Sequence, residues 1–157
     1  MEKLESKRLI LRNLESEDFN DFWELSKNWK NAPGPDFDKW PVTENECKGL
    51  FDAFYNHKHG IWIYYNDVGK IIGGIFKNNI DENGFLDMGH VFHSDYQNND
   101  IDKEAISMVV KNIFETMDVN GIITNNDSNE KQNAPLYSLG FIDRNDNGGQ
   151  LVLKKNG

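Results

Sequence analysis

The stretch Tyr96-Gln97-Asn98-Asn99-Asp100-Ile101-Asp102-Lys103-Glu104-Ala105 has the residue types, and the place in the chain, for anion chemistry. It lies between a strand-like run, Leu86 to Phe92, and a strongly periodic helical segment. Unpaired N–H groups converge where a strand turns into a helix, and the helix dipole favours a phosphate there. The turn also carries Asp100 and Asp102, which oppose an anion if they face it. Acidic residues in a first turn equally stabilise the helix by themselves. Two readings follow: a phosphate site weakened by two carboxylates, or a helix start that caps itself. A cation site using Asp95, Asp100, Asp102 and Glu104 lacks the glycine and terminal glutamate of a calcium loop. No metal site is expected.

Composition limits the partners. The 157 residues suit one domain, 1–157, with a real core. Seventeen Lys and Arg against 26 Asp and Glu give a net charge of −9. That balance argues against nucleic acid and anionic membrane, which need a basic face. One cysteine, Cys47, excludes an internal disulfide framework and a cysteine-rich zinc site. No apolar run approaches the ~20 residues of a membrane span, and the N-terminus has no apolar signal core. A cytoplasmic protein is the expectation, and a homodimer is left open.

The elements that must position the turn are legible from patterning. Arg8 to Arg12 reads as a strand. Glu15 to Asp18 form an acidic first turn before Phe19, Phe22, Trp23 and Ser26 at helical spacing. Thr43-Glu44-Asn45-Glu46 resembles a capping box, followed by a helix with Cys47, Leu50, Phe51 and Phe54 on one face. Cys47 reads as a small buried residue rather than a nucleophile. Gly60 to Tyr65, Lys70 to Phe76 and Phe85 to Phe92 are β-branched or aromatic runs joined by hairpin-like turns. Ile106, Val109, Val110, Ile113 and Met117 mark a helix with one apolar stripe. Gly121 to Thr124 is a strand, and Glu130 to Leu139 a short helix containing Pro135. Gly140 to Ile142 and Gln150 to Leu153 close the chain as strands. The order βααβββαβαββ predicts an α/β fold with a mixed sheet, and 121–124 parallel beside the strand ending at Phe92.

That order and several motifs resemble the GNAT superfamily of N-acetyltransferases, in the branch that includes the ribosomal-protein-alanine acetyltransferases. Leu4-Glu5-Ser6-Lys7-Arg8-Leu9-Ile10-Leu11-Arg12-Asn13-Leu14 resembles its entry strand, "ET-x-RL-x-LR-x-L". Asp87-Met88-Gly89-His90-Val91-Phe92-His93-Ser94-Asp95-Tyr96 resembles "E-I-G-Y-x-I-x-P-x-Y". Glu104-Ala105-Ile106 is similar to "EAL", and Leu139-Gly140-Phe141 to "LGF". The match runs from about residue 4 to 154. It implies a mostly antiparallel sheet with helices on both faces and a central parallel pair. It also implies acetyl-CoA as cosubstrate, and a primary amine on a small molecule or peptide as acceptor, attacked directly in a ternary complex.

The resemblance assigns roles residue by residue. Backbone at Val91 and Phe92 would pair with the pantetheine arm. The diphosphate would sit on the loop Gln97, Asn98, Asn99, Asp100, Ile101 and Asp102, which the family patterns Q/R-x-x-G-x-G/A. Gln97 matches; Asp100 and Asp102 replace the two small residues. Unit charges ~6 Å apart at an effective dielectric of ~20 repel by roughly 3 kcal/mol, and each ~1.4 kcal/mol is tenfold in affinity. The loop therefore admits an alternative: an impaired GNAT-fold ligand- or protein-binding module.

Acetyl transfer also needs a base, an acid and oxyanion donors. Asp87 aligns with a carboxylate common in the family; His90 is an alternative base, and His93 lies beside the same strand. Ordinary strand polarity competes with each assignment. The branch's usual Asn aligns with Asn129, and its usual Ser with Gln132. Tyr137 aligns with the tyrosine of "LYEKLGF" when one residue is deleted, which makes it the candidate thiolate acid; a half-buried packing role competes. His57 and His59 read as surface residues rather than metal ligands. The segment from Asn31 to Trp40, with Trp29, Asp36, Asp38 and Trp40, should border the acceptor site.

Overall fold

The computed structural model describes residues 3–30, 43–97, 100–125, 130–144 and 149–156. Eight strands and four helices follow in the order β1 (Leu4–Glu5), β2 (Leu9–Arg12), α1 (Phe19–Lys30), α2 (Glu44–Asn56), β3 (Ile61–Tyr65), β4 (Lys70–Ile80) and β5 (Phe85–Phe92). They continue with α3 (Ile101–Thr116), β6 (Gly121–Asn125), α4 (Glu130–Ser138), β7 (Ile142–Asp143) and β8 (Gln150–Lys154). The strands form one mixed sheet in the order β1-β2-β3-β4-β5-β6-β8-β7. Among the described residues, β5 and β6 are the one parallel pair, as a helical crossover between strands predicts. The chain divides into two compact units, Met1–Gly74 with Val91–Tyr96, and Ile75–His90 with Gln97–Gly157.

In the first unit, the acidic stretch Ser16–Asp18 is a 3-10 turn rather than the first turn of α1. Asp18 is drawn inward instead. Its carboxylate accepts from Arg12 Nη1 at 2.7 Å and from the Glu15 backbone N–H at 2.7 Å. Arg12 also lies over the Tyr64 ring, 5.4 Å from its centroid. The Thr43 cap forms as its sequence predicts: Thr43 Oγ1 accepts the Glu46 N–H at 3.1 Å and donates to Glu46 Oε1 at 2.9 Å. Behind it, Phe22, Phe51, Phe54 and Trp62 pack ring against ring. Cys47 is buried, its thiol donating to Ser26 Oγ at 3.3 Å, and burial pushes its pKa up. It is an inert core residue.

In the second unit, Ile106, Val109 and Ile113 of α3 are fully buried. Each such side chain contributes about 1.5–3 kcal/mol. The α3–β6 connection is pinned by Asn120, whose backbone N–H reaches Gly84 O at 2.8 Å and whose side chain reaches Asn83 O at 2.8 Å. Gly84 has φ +82, and a Cβ there would lie 2.5 Å from Asn120 Nδ2. Strand β4 runs to Ile80, past the expected end at Phe76. The reason is Asp81, whose Oδ1 accepts the N–H groups of Asn83 and Phe85 at 2.9 Å each and postpones the turn.

Register fixes which residues share a face. Asp87 pairs with Ile123, Ile123 with Val152, and Val152 with Ile142. The neighbouring row, Thr124, Leu151 and Asp143, points to the opposite face.

Candidate active site

The turn into α3 resolves the two aspartates into different roles. Asp100 is the N-cap of α3, with φ 73 and ψ −24, the left-handed conformation that favours glycine. Its carbonyl accepts the Glu104 N–H at 2.9 Å, and its side chain is exposed without capping the helix. Asp102 is 1% exposed. Its Oδ1 accepts the backbone N–H of Lys103 at 2.8 Å, so one donor of the helix start already holds a carboxylate. Ile101 between them is buried in the core. Gln97 follows the 3-10 turn Ser94–Tyr96 with its side chain half-buried. Asn98 and Asn99 lie outside the described residues.

Strand β5 carries the candidate bases on opposite faces. Asp87 is half-buried; burial pushes its carboxyl up, and a hydrogen bond from Asn78 on β4 pulls it partly back. Alternation puts His90 on the other face, so the two do not converge. Asn78 was not identifiable as a site residue from sequence, where Asn78-Asn79 reads as turn chemistry.

In the first unit, Val91 and Phe92 end β5, 9% and 1% exposed. A Cβ at Gly73 would lie 2.5 Å from Val91 O and 2.7 Å from Phe92 Cδ1, so only glycine admits this strand contact. His93 is turned into its own loop, where Nδ1 accepts the Asp95 N–H at 3.2 Å. Asn28 clamps that loop, donating to Ser94 Oγ at 2.8 Å and accepting the Ser94 N–H at 3.0 Å.

Tyr137 is exposed on α4 and donates its phenolic proton to Asp143 Oδ1 at 2.7 Å. Asp143 belongs to the row opposite that of Asp87. Asn129, Asp36, Asp38, Trp40 and the Gln132 side chain lie outside the described residues. His57 and His59 are exposed, and no cluster of three or more metal-ligating side chains occurs among the described residues. No helix among them is long and apolar enough to cross a membrane.

Comparison with known proteins agrees with this architecture. Residues 8–142 match the family model described as "Acetyltransferase (GNAT) domain". The chain belongs to the GNAT acetyltransferase family. Solved structures share the fold at low identity. One is a GNAT-family acetyltransferase from Bacillus anthracis, with TM-score 0.78, 16% identity and coverage of 98% of each chain. Another is a ribosomal-protein-alanine acetyltransferase from Vibrio fischeri, with TM-score 0.64, 18% identity and coverage of 98% of this chain and 95% of that one. A ribosomal alpha-N-protein acetyltransferase in complex with coenzyme A has TM-score 0.71 and 13% identity, covering 96% and 95%. No curated protein sequence matches the chain.

Proposed function

We propose that the protein transfers an acetyl group from acetyl-CoA to a primary amine by direct attack in a ternary complex. Family membership supports the reaction class. The observation that carries the cosubstrate assignment is Asp100. It stands where the family loop has glycine, and its φ of 73 reproduces glycine's backbone. The loop binds through backbone N–H groups, which aspartate keeps. One of those donors, Lys103 N–H, holds Asp102. The residues therefore fit a diphosphate, with one donor in competition. The impaired-module alternative draws no support from the comparisons.

Backbone at Val91 and Phe92 would hold the pantetheine arm, and Gln97, Asn98, Asn99, Asp100, Ile101 and Asp102 the diphosphate, with Asn129 assisting. Bound acetyl-CoA supplies an acetyl group activated as a thioester. Asp87 receives the acceptor's proton at its carboxylate; partial burial brings its basicity closer to that of an amine-activating group. Tyr137 Oη, whose proton rests on Asp143 Oδ1, is the proposed acid. His90, the alternative base in the sequence, lies on the opposite face of β5 from Asp87, which favours Asp87. The charge of −9 favours a cationic acceptor.

The test is amine-dependent thiol release from acetyl-CoA, with mass identification of the acetylated amine. Release that needs the amine and falls with Asp87→Asn supports the reading. Absence of any amine-dependent release overturns it.

A further inference from the structure

A cavity of about 520 Å³ lies in the first unit, between the turn that follows β2 and the C-terminal end of α2. That volume is in the range of small-molecule sites, roughly 300–1,000 Å³. Leu14 and the Tyr55 ring are its apolar lining, and the rest is polar. Glu17, Tyr55, Asn56 and Lys58 are exposed, so the cavity opens to solvent. It is separate from the candidate active site. It lies just before α1, whereas Asn28, near the other end of that helix, holds the Ser94 loop beside Val91 and Phe92. Helical rise puts about 14 Å between Phe19 and Asn28.

Two opposite charges on the cavity wall are uncommitted. Glu15 is held by Arg12 Nε at 3.3 Å. The Glu17 carboxylate and the Lys58 ammonium have no hydrogen bond or ion pair among the described residues, with each other or with any third group. Asn13 also borders the cavity, and its Oδ1 is buried without a hydrogen-bond partner among the described residues, a costly state for an acceptor. The end of α2 fixes Lys58 in place. The His59 N–H reaches Phe54 O at 2.9 Å across it, and Lys58 takes φ 50, the left-handed conformation in which helices usually end on glycine. A cationic side chain therefore stands at the cavity where glycine would leave none.

We propose that this cavity is a second ligand site, for the zwitterion of a free amino acid. A ligand of single charge meets a like charge at Glu17 or at Lys58, and a neutral sugar leaves both unpaired. An amino acid matches both. Its ammonium donates to the Glu17 carboxylate, with Asn13 Oδ1 as a further acceptor, and its carboxylate accepts from Lys58 Nζ. Ser16 and Asn56 favour a polar side chain, with the Tyr55 ring beside its carbons.

The test is amide NMR on the whole chain, titrated with each standard amino acid up to about 10 mM, tenfold above a millimolar dissociation constant. At least one polar amino acid should shift Leu14 to Glu17 and Asn56 to Lys58. Its carboxamide, which keeps only the ammonium, and its N-acetyl derivative, which keeps only the carboxylate, should each bind at least about tenfold more weakly. Glu17→Gln and Lys58→Gly should each weaken binding about tenfold or more. Glycine accepts a φ of 50 without strain, so Lys58→Gly should keep or raise the melting temperature, which separates lost binding from lost folding. No shift from any amino acid overturns the proposal, as does equal binding of either derivative or undiminished binding by either variant. Shifts confined to Asp87 to Phe92 would place the amino acid at the acceptor site and overturn it too. None of these outcomes depends on acetyl transfer.

Discussion

The carboxylate of Asp102 accepts the backbone N–H of Lys103 at 2.8 Å, inside the turn proposed above to hold a diphosphate. On that proposal, a protein anion competes for one of the donors that acetyl-CoA would use. Asp102→Ala frees that N–H and removes a negative charge from the helix start. Coenzyme A should then bind about tenfold tighter at low salt, with a smaller gain at high salt. The variant should lose about 1 kcal/mol of stability with that first-turn hydrogen bond. Calorimetric titration at two salt concentrations checks both signs; unchanged affinity would place the diphosphate elsewhere.

Asp100 calls for the opposite expectation on stability. Its left-handed backbone costs an L-residue roughly 1 kcal/mol, and glycine's extra chain entropy returns only part of that. Its side chain makes no cap. Asp100→Gly should raise the melting temperature by about 1–2 °C. A lower melting temperature would show that the exposed carboxylate supports the helix dipole more than the strain costs.

Asp87 links stability to pH. Its carboxyl is held above the usual carboxylate range by burial, with Asn78 opposing. The folded state therefore binds this proton more tightly than the unfolded chain does. The contribution to stability is full below the usual range, and declines as pH rises through the shifted value. Asp87→Asn should remove that decline in denaturant unfolding curves taken from about pH 3 to about pH 7. A variant with the native pH dependence would assign the decline to other groups.

Gly73→Ala tests the strand that would hold the pantetheine arm. The added Cβ falls 2.5 Å from Val91 O, so the end of β5 must move. A loss of about 1–3 kcal/mol in unfolding free energy is expected, together with weaker coenzyme A binding. Native affinity in a destabilised variant would separate the Val91 backbone from the cosubstrate.

Tyr137→Phe deletes a phenol that lies 2.7 Å from Asp143. If Tyr137 is the acid, kcat and kcat/KM fall together, by about 10²-fold or more. Native kcat would reduce Tyr137 to an anchor between α4 and β7.

The element order is readable because each strand is a β-branched or aromatic run closed by Asn, Asp or Gly, and because Ile106, Val109 and Ile113 keep helical spacing. Thr43 and Glu46 announce their own cap. The site is less legible, because its contacts depend on register. That Asn78 meets Asp87 follows from how β4 and β5 align after the Asp81 turn, which turn propensity alone misreads. The Tyr137 to Asp143 bond depends on β7 pairing with β8 over two residues. The opposite fates of Asp100 and Asp102 depend on one φ angle, and composition assigns both the same charge.

Acetyl transfer to an amine is decided by a balance of products. Native protein is incubated with acetyl-CoA and n-butylamine, and free thiol and N-acetylbutylamine are counted by mass spectrometry. Equal amounts of the two are expected, with no thiol above background without the amine and a rate at least about 10²-fold lower in Asp87→Asn. Thiol released without the amine, or no acetylated amine from the native protein, would contradict it.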